Sequence, residues 1–121
     1  HLGHVQSKDP FVQAALGHKA LGEGKSEEAL AHLSKGLPLG DATVYEDMAK
    51  ALSNVGRGDE ALDYLRRAVD TDPFNAVLLK KLTLQYITLK RYPEARQAMA
   101  RYVELFPEDS FMRKLLARVV N

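Results

Sequence analysis

The feature that most constrains this chain is a recurrence of nearly constant length. Asp9, Asp41, Asn75 and Asp109 each precede a stretch with apolar residues at helical spacing, and they lie 32, 34 and 34 residues apart. Asp and Asn suit helix starts because their side-chain oxygens accept bonds from the free N–H groups of the first turn. A second set keeps the same beat. Glu28-Ala29-Leu30, Glu60-Ala61-Leu62 and Glu94-Ala95-Arg96 align, with alanines 32 and 34 residues apart. Alanine leaves little side chain between two backbones, so it suits places where helices approach closely. A unit of this length cannot bury its apolar face alone; neighbours must stack and share one core.

Each unit is predicted to contain two helices. The first reads from Pro10 to about Glu23, breaks across Gly22-Glu23-Gly24-Lys25, and resumes from Ser26 to about Gly36. The second reads Ala42 to Val55, breaks at Gly56-Arg57-Gly58, and resumes from Asp59 to Asp70. The third reads Ala76 to Lys90, breaks near Arg91 and restarts with Pro93. Glycine tolerates the left-handed conformation that ends helices. Proline is accepted at a first helical position, as at Pro10. Pro73 and Pro107 mark the ends of preceding helices. A last helix spans about Ser110 to Val120. Phe111, Met112, Leu115, Leu116, Val119 and Val120 form its apolar stripe, with Arg113, Lys114, Ala117 and Arg118 off it. Such a helix suits the exposed end of a stack. No segment keeps a period of two, so the expected class is all-α.

On these offsets the chain resembles the tetratricopeptide repeat (TPR) family. The family pattern places an aromatic, Leu, a small residue and Tyr on the first helix. Ala, an aromatic and Ala follow on the second, and then Pro. The second unit carries Tyr45, Met48, Ala49, Leu52, Ala61, Leu65, Ala68 and Pro73 at those places. The third carries Leu79, Leu82, Thr83, Tyr86, Ala95, Met99, Tyr102 and Pro107, and the first Gln13, Leu16, Gly17, Ala20, Ala29, Leu33 and Gly36. The resemblance implies an α-solenoid of about three TPR units, 9–40, 41–74 and 75–108, closed by a capping helix at 109–121. An ordinary helical bundle is the rival, but it would not need the same offsets in successive units. The first unit departs most: Gln13 replaces the aromatic and the Leu37–Gly40 joint is two residues short, so its packing angle on the second is expected to differ. Tyr102 stands where a small residue is usual and needs extra room.

Residues 1–8 fall where an N-terminal extension or the tail of a preceding repeat would lie. The chain does not start with Met, and the repeat phase begins mid-unit. Both observations point to a fragment of a longer protein; a processed product, or a vector scar at His1 to His4, are the alternatives.

The resemblance implies that the first helices line a concave groove holding a partner's peptide or helix. Helical spacing nominates Phe11, Ala14, His18 and Leu21 from the first unit. The second offers Thr43, Glu46, Lys50 and Ser53, and the third Val77, Lys80, Leu84 and Ile87. Lys114 and Arg118 would join from the end helix. Glu46 and Lys50 are an i,i+4 pair able to satisfy each other. Lys80 and Lys81 beside Val77 and Leu84 suit a peptide with acidic and apolar residues, or a terminal carboxylate. Val77, Leu84 and Ile87 have core packing as the competing reading, and the lysines have solvated helix faces. Some family members clamp a chaperone tail's carboxylate with a Lys/Asn/Lys/Arg set. Ala14, His18 and Asp47 stand where that set needs Lys, Asn and Asn, so no such clamp is expected.

Composition closes other doors. The 121 residues suit one compact assembly, and 45% apolar with 27% charged residues is a globular balance. Net charge is +1, which argues against a general nucleic-acid binder. Residues 1–60 carry −3 and residues 61–121 carry +4, which makes head-to-tail self-association the alternative function, as a homo-oligomeric scaffold or as a spacer attached to an enzyme or transport machine. No apolar run approaches the roughly 18 residues of a membrane span, and residues 1–10 hold no signal-like apolar core. There are no cysteines, hence no disulfides or thiolate sites. His1 and His4 make at most a weak metal pair, His18 faces the expected groove, and His32 is expected near Glu28. Gly24-Lys25-Ser26 lacks the upstream glycine and strand of a phosphate loop. Glu27-Glu28 and Asp59-Glu60 sit at helix starts, where the dipole favours them. The chain therefore reads as a non-enzymatic protein-binding module, with no cofactor and no metal.

Overall fold

The computed structural model describes residues 8–120. The readings placed on residues 1–7, His1 and His4 among them, lie outside the described residues. Among the described residues seven α-helices follow Asp9: α1 (Pro10–Gly22), α2 (Ser26–Gly36), α3 (Ala42–Asn54), α4 (Gly58–Thr71), α5 (Ala76–Thr88), α6 (Tyr92–Leu105) and α7 (Ser110–Val120), with a short 3-10 turn at Leu37–Leu39. No strand occurs among the described residues. Helices α1 and α2, α3 and α4, and α5 and α6 pair as hairpins. Each second helix packs on the next first helix, and α7 closes against α6. This order of contacts is that of an α-helical solenoid.

Local chemistry explains the helix starts. Asp9 accepts from the Phe11 N–H at 2.9 Å, and Asp41 from Thr43 at 2.8 Å. Asn75 accepts from Val77 and Leu78, and Asp109 from Met112 at 3.1 Å. All four caps expected from their spacing are made. The second helices lack side-chain caps and begin from tight turns instead. Each turn holds one left-handed residue: Gly24 at φ 79°, Gly56 at φ 81° and Lys90 at φ 61°. The following N–H groups of Lys25, Arg57 and Arg91 donate back to Ala20, Leu52 and Tyr86 carbonyls, at 2.9, 2.8 and 2.8 Å. These bonds satisfy carbonyls that a helix end would otherwise leave free.

The core follows the repeat register. Ala29, Ala61 and Ala95 are buried, as are Leu33, Leu65 and Met99 one turn later. The hairpins reach this packing with different side chains. In the first, Gly17 lies under Leu33 so tightly that an added Cβ would be 2.5 Å from Leu33 Cγ. Gly36 likewise lies against Ala14, whose Cβ would be 2.9 Å away. Gln13, buried, accepts from His32 Nδ1 at 2.7 Å. His32, on the second helix as expected and four residues from Glu28, turns its imidazole to α1. The matching pair in the second hairpin is Tyr45 and Tyr64, with ring centroids 6.3 Å apart. In the third hairpin Thr83 takes Gly17's place, and its hydroxyl donates to the Leu79 carbonyl at 2.9 Å. Tyr102 finds its room beneath α7, fully covered, with its ring 5.0 Å from Phe106.

Candidate functional site

The first helices α1, α3 and α5 present a common face with two clefts. The cleft between α1 and α3, about 350 Å³, is lined by Phe11, His18, Leu39, Asp41, Thr43 and Asp47 among others. Phe11 is 70% exposed there, an unusual position for a large aromatic. Asp47 comes from α3 and is nearly buried; His18 Nδ1 donates to its carboxylate at 2.8 Å. The imidazole is thus oriented by a carboxylate behind it, while its outer edge faces solvent. Among the described residues no Lys or Arg lines this cleft.

The cleft between α3 and α5, about 440 Å³, is lined by Glu46, Lys50, Ser53, Asn54, Lys81 and Leu84 among others. Leu84 is 55% exposed, so its apolar surface is available at the cleft. Lys81 Nζ donates to Glu46 across the cleft, joining α5 to α3. Helical spacing puts Lys50 within reach of Glu46, but Glu46 turns to Lys81 instead. Its carboxylate gains more from a partner on the facing helix, where it is only partly exposed, than from a solvated neighbour on its own helix.

The remaining nominated residues divide. Ala14, half-buried, reaches the first cleft, as does Thr43, and Ser53 reaches the second. Val77, Lys114 and Arg118 are exposed but line neither cleft. Leu21 is buried in the core and Ile87 packs half-buried against it, so neither offers an open groove surface. Both sit in the last turn of a first helix, where the following turn folds over them.

Lys80 also departs from expectation. Its ammonium lies 3.1 Å from Asp109 and 5.5 Å from the Tyr102 ring centroid, turned toward α6 and α7. Asp109 gathers three donors: the Tyr102 hydroxyl at 2.7 Å, the Met112 N–H and Lys80. The Tyr102 bond first, then the Met112 bond and Lys80, lower its carboxyl pKa from 3.8 to about 2. The bond to Asp109, with a further one to Tyr102, raises Lys80. Burial, then the bond to Asp109, raises the Tyr102 phenol. This cluster fastens α7 to α5 and α6. Its position explains why Lys81, one residue on, is the lysine that α5 gives to the cleft.

Sequence reasoning passed over Asp47 as a partner of His18, and it named Lys81 as a cation beside Val77 and Leu84 but nominated Lys80 for the groove. Helix arithmetic contains the signal: Asp47 precedes Lys50 by three, and Lys81 precedes Leu84 by three, so each shares a face with a nominated residue. Among the described residues no three metal-ligating side chains gather, and no helix is long and apolar enough to cross a membrane.

The tetratricopeptide repeat family model matches residues 55–119, more than half of the chain. The chain belongs to the tetratricopeptide repeat family. Solved TPR structures share the fold. MamA superposes with a TM-score of 0.79 at 20% identity, covering 93% of this chain and 67% of MamA. The first TPR of Spaghetti (RPAP3), bound to the HSP90 peptide SRMEEVD, superposes with a TM-score of 0.72 at 20% identity, covering 94% of each chain. The second TPR domain of human RPAP3, in complex with the HSP70 peptide SGPTIEEVD, gives 0.74 at 20% identity, covering 93% of this chain and 99% of that one. Among curated proteins, Sperm-associated antigen 1 of Rattus norvegicus is 26% identical over 104 residues. That match takes in 85% of this chain, which spans only 12% of the relative's length.

Proposed function

We propose that this TPR chain is a protein–protein interaction module that holds a partner's peptide or helix on the concave face of α1, α3 and α5. Residues 9–40, 41–74 and 75–108 are then three repeat units, and 109–121 the helix that closes the stack. One observation carries the reading: two open clefts lie side by side on the first-helix face, each pairing exposed apolar surface with charge. Phe11 and Leu84 supply the apolar surface. The RPAP3 domains bound to HSP90 and HSP70 peptides support a peptide as the partner's form. The missing clamp residues at Ala14, His18 and Asp47 argue against a chaperone tail gripped in that particular way. The proposed groove residues are Phe11, His18, Glu46, Lys50, Lys81 and Leu84, with Val77, Lys114 and Arg118 extending the surface toward α7.

Head-to-tail self-association has weaker support. Counted by hairpin, residues 1–40 hold four Lys/Arg and four Asp/Glu, residues 41–74 four and eight, and residues 75–121 nine and four. The acidic excess lies in the middle, so no acidic end faces the basic one.

The test is capture of partners from a lysate by the native chain and by a Lys50→Glu/Leu84→Ser variant. Partners retained by the native chain and lost by an equally helical variant are expected. Equal capture by both would remove the groove from the proposal.

A further inference from the structure

The two clefts carry opposite charge, and this constrains what can lie across them. Among the described residues the carboxylates of the α1–α3 cleft are Asp41 and Asp47, with His18 the one titratable group opposing them. Among the described residues of the α3–α5 cleft the cations are Lys50 and Lys81, opposed only by Glu46, which is committed to Lys81. Each cleft also has its own apolar surface, Phe11 with Leu39 in the first and Leu84 in the second.

Packed helices are about 8–10 Å apart, and an extended chain advances about 3.3 Å per residue. A segment crossing from one cleft to the next therefore moves about three residues. A uniformly acidic segment would meet Asp41 and Asp47 at one end. A uniformly basic one would meet Lys50 and Lys81 at the other.

Resting on the groove reading above, we infer that the partner segment is of mixed charge. It carries a Lys or Arg beside an apolar residue for the α1–α3 cleft, and an Asp or Glu about three residues away for the α3–α5 cleft. Charge complementarity of this kind rejects wrong partners more strongly than it adds affinity. The segment is selected by the spacing of its two charges.

The experiment selects from a random nonapeptide display library on the immobilised chain, with affinities of the enriched peptides read by fluorescence anisotropy. Enrichment of peptides with opposite charges about three residues apart is expected. Asp41→Asn should weaken them about fivefold, the scale of one partly exposed ion pair, and should leave the helix capped because Asn caps as well as Asp. Lys50→Glu should weaken the same peptides at their acidic end. Enrichment of purely acidic peptides that bind Asp41→Asn as tightly as the native chain would overturn the mixed-charge assignment while keeping the groove. No enrichment over a bare support would overturn the groove reading itself.

Discussion

The first and third hairpins solve the same packing problem with different materials. In the first, Gly17 and Gly36 remove side chains so that α1 and α2 nearly touch. In the third, Thr83 and Tyr102 keep bulk in the same two places, and the bulk is accommodated because its polar atoms are satisfied. Thr83 returns its hydroxyl to its own helix, and Tyr102 sends its hydroxyl on to Asp109. The repeat thus fixes where helices must meet. It leaves open whether they meet through absent side chains or through side chains whose hydrogen bonds are made. Buried polar groups are tolerated only on the second condition.

The sharpest way to break this comparison is Gly17→Ala. The new methyl would press on Leu33, which is fully buried and cannot move aside, and a loss of about 1–3 kcal/mol is expected by urea unfolding. A neutral outcome would mean that α1 and α2 can separate as α5 and α6 do. Next in size is Gly56→Ala, which forces a Cβ into left-handed backbone at about 1–2 kcal/mol. The converse change sharpens the contrast: Lys90→Gly, at the matching turn of the third hairpin, should gain up to about 1 kcal/mol in the same assay. A loss there would show that the Lys90 side chain contributes more than its backbone strain removes.

The smallest expected effect concerns pH. Asp109 has a folded pKa of about 2 against an ordinary 3.8, so its contribution is complete above the ordinary value and fades as pH falls toward 2. Tyr102→Phe removes the largest cause of that depression. Its unfolding free energy should therefore fall less steeply than the native chain's between pH 4 and 2. Identical slopes would remove the Tyr102 bond as the cause.

Most of the fold was legible because it rests on local chemistry. The caps Asp9, Asp41, Asn75 and Asp109 and the glycine turns act within a few residues, and these signals place the helices to within two residues. The candidate site was legible only as a set of helix faces. Which lysine enters the cleft, and which partner Glu46 takes, depends on the separation of neighbouring helices, which a periodic pattern does not encode. Lys80 and Lys81 are adjacent on α5 yet turn to different neighbours, Asp109 and Glu46. Gln13 is a further case. Its polar side chain at an aromatic position looked like a flaw in the first unit, until His32, on the facing helix, supplied the donor.

The bond between Glu46 and Lys81 has a consequence for ionic strength. A carboxylate arriving at Lys81 would replace one already there, so binding at this point exchanges anions and neutralises no bare cation. Added salt screens the pair before and after the exchange. Affinity at the α3–α5 cleft should therefore vary with salt mainly through Lys50, far less steeply than two lysines facing an acidic ligand would suggest. On the proposed groove reading, a ligand carboxylate would then have to outcompete Glu46 at Lys81 by geometry and apolar contact, and would find its open cation at Lys50.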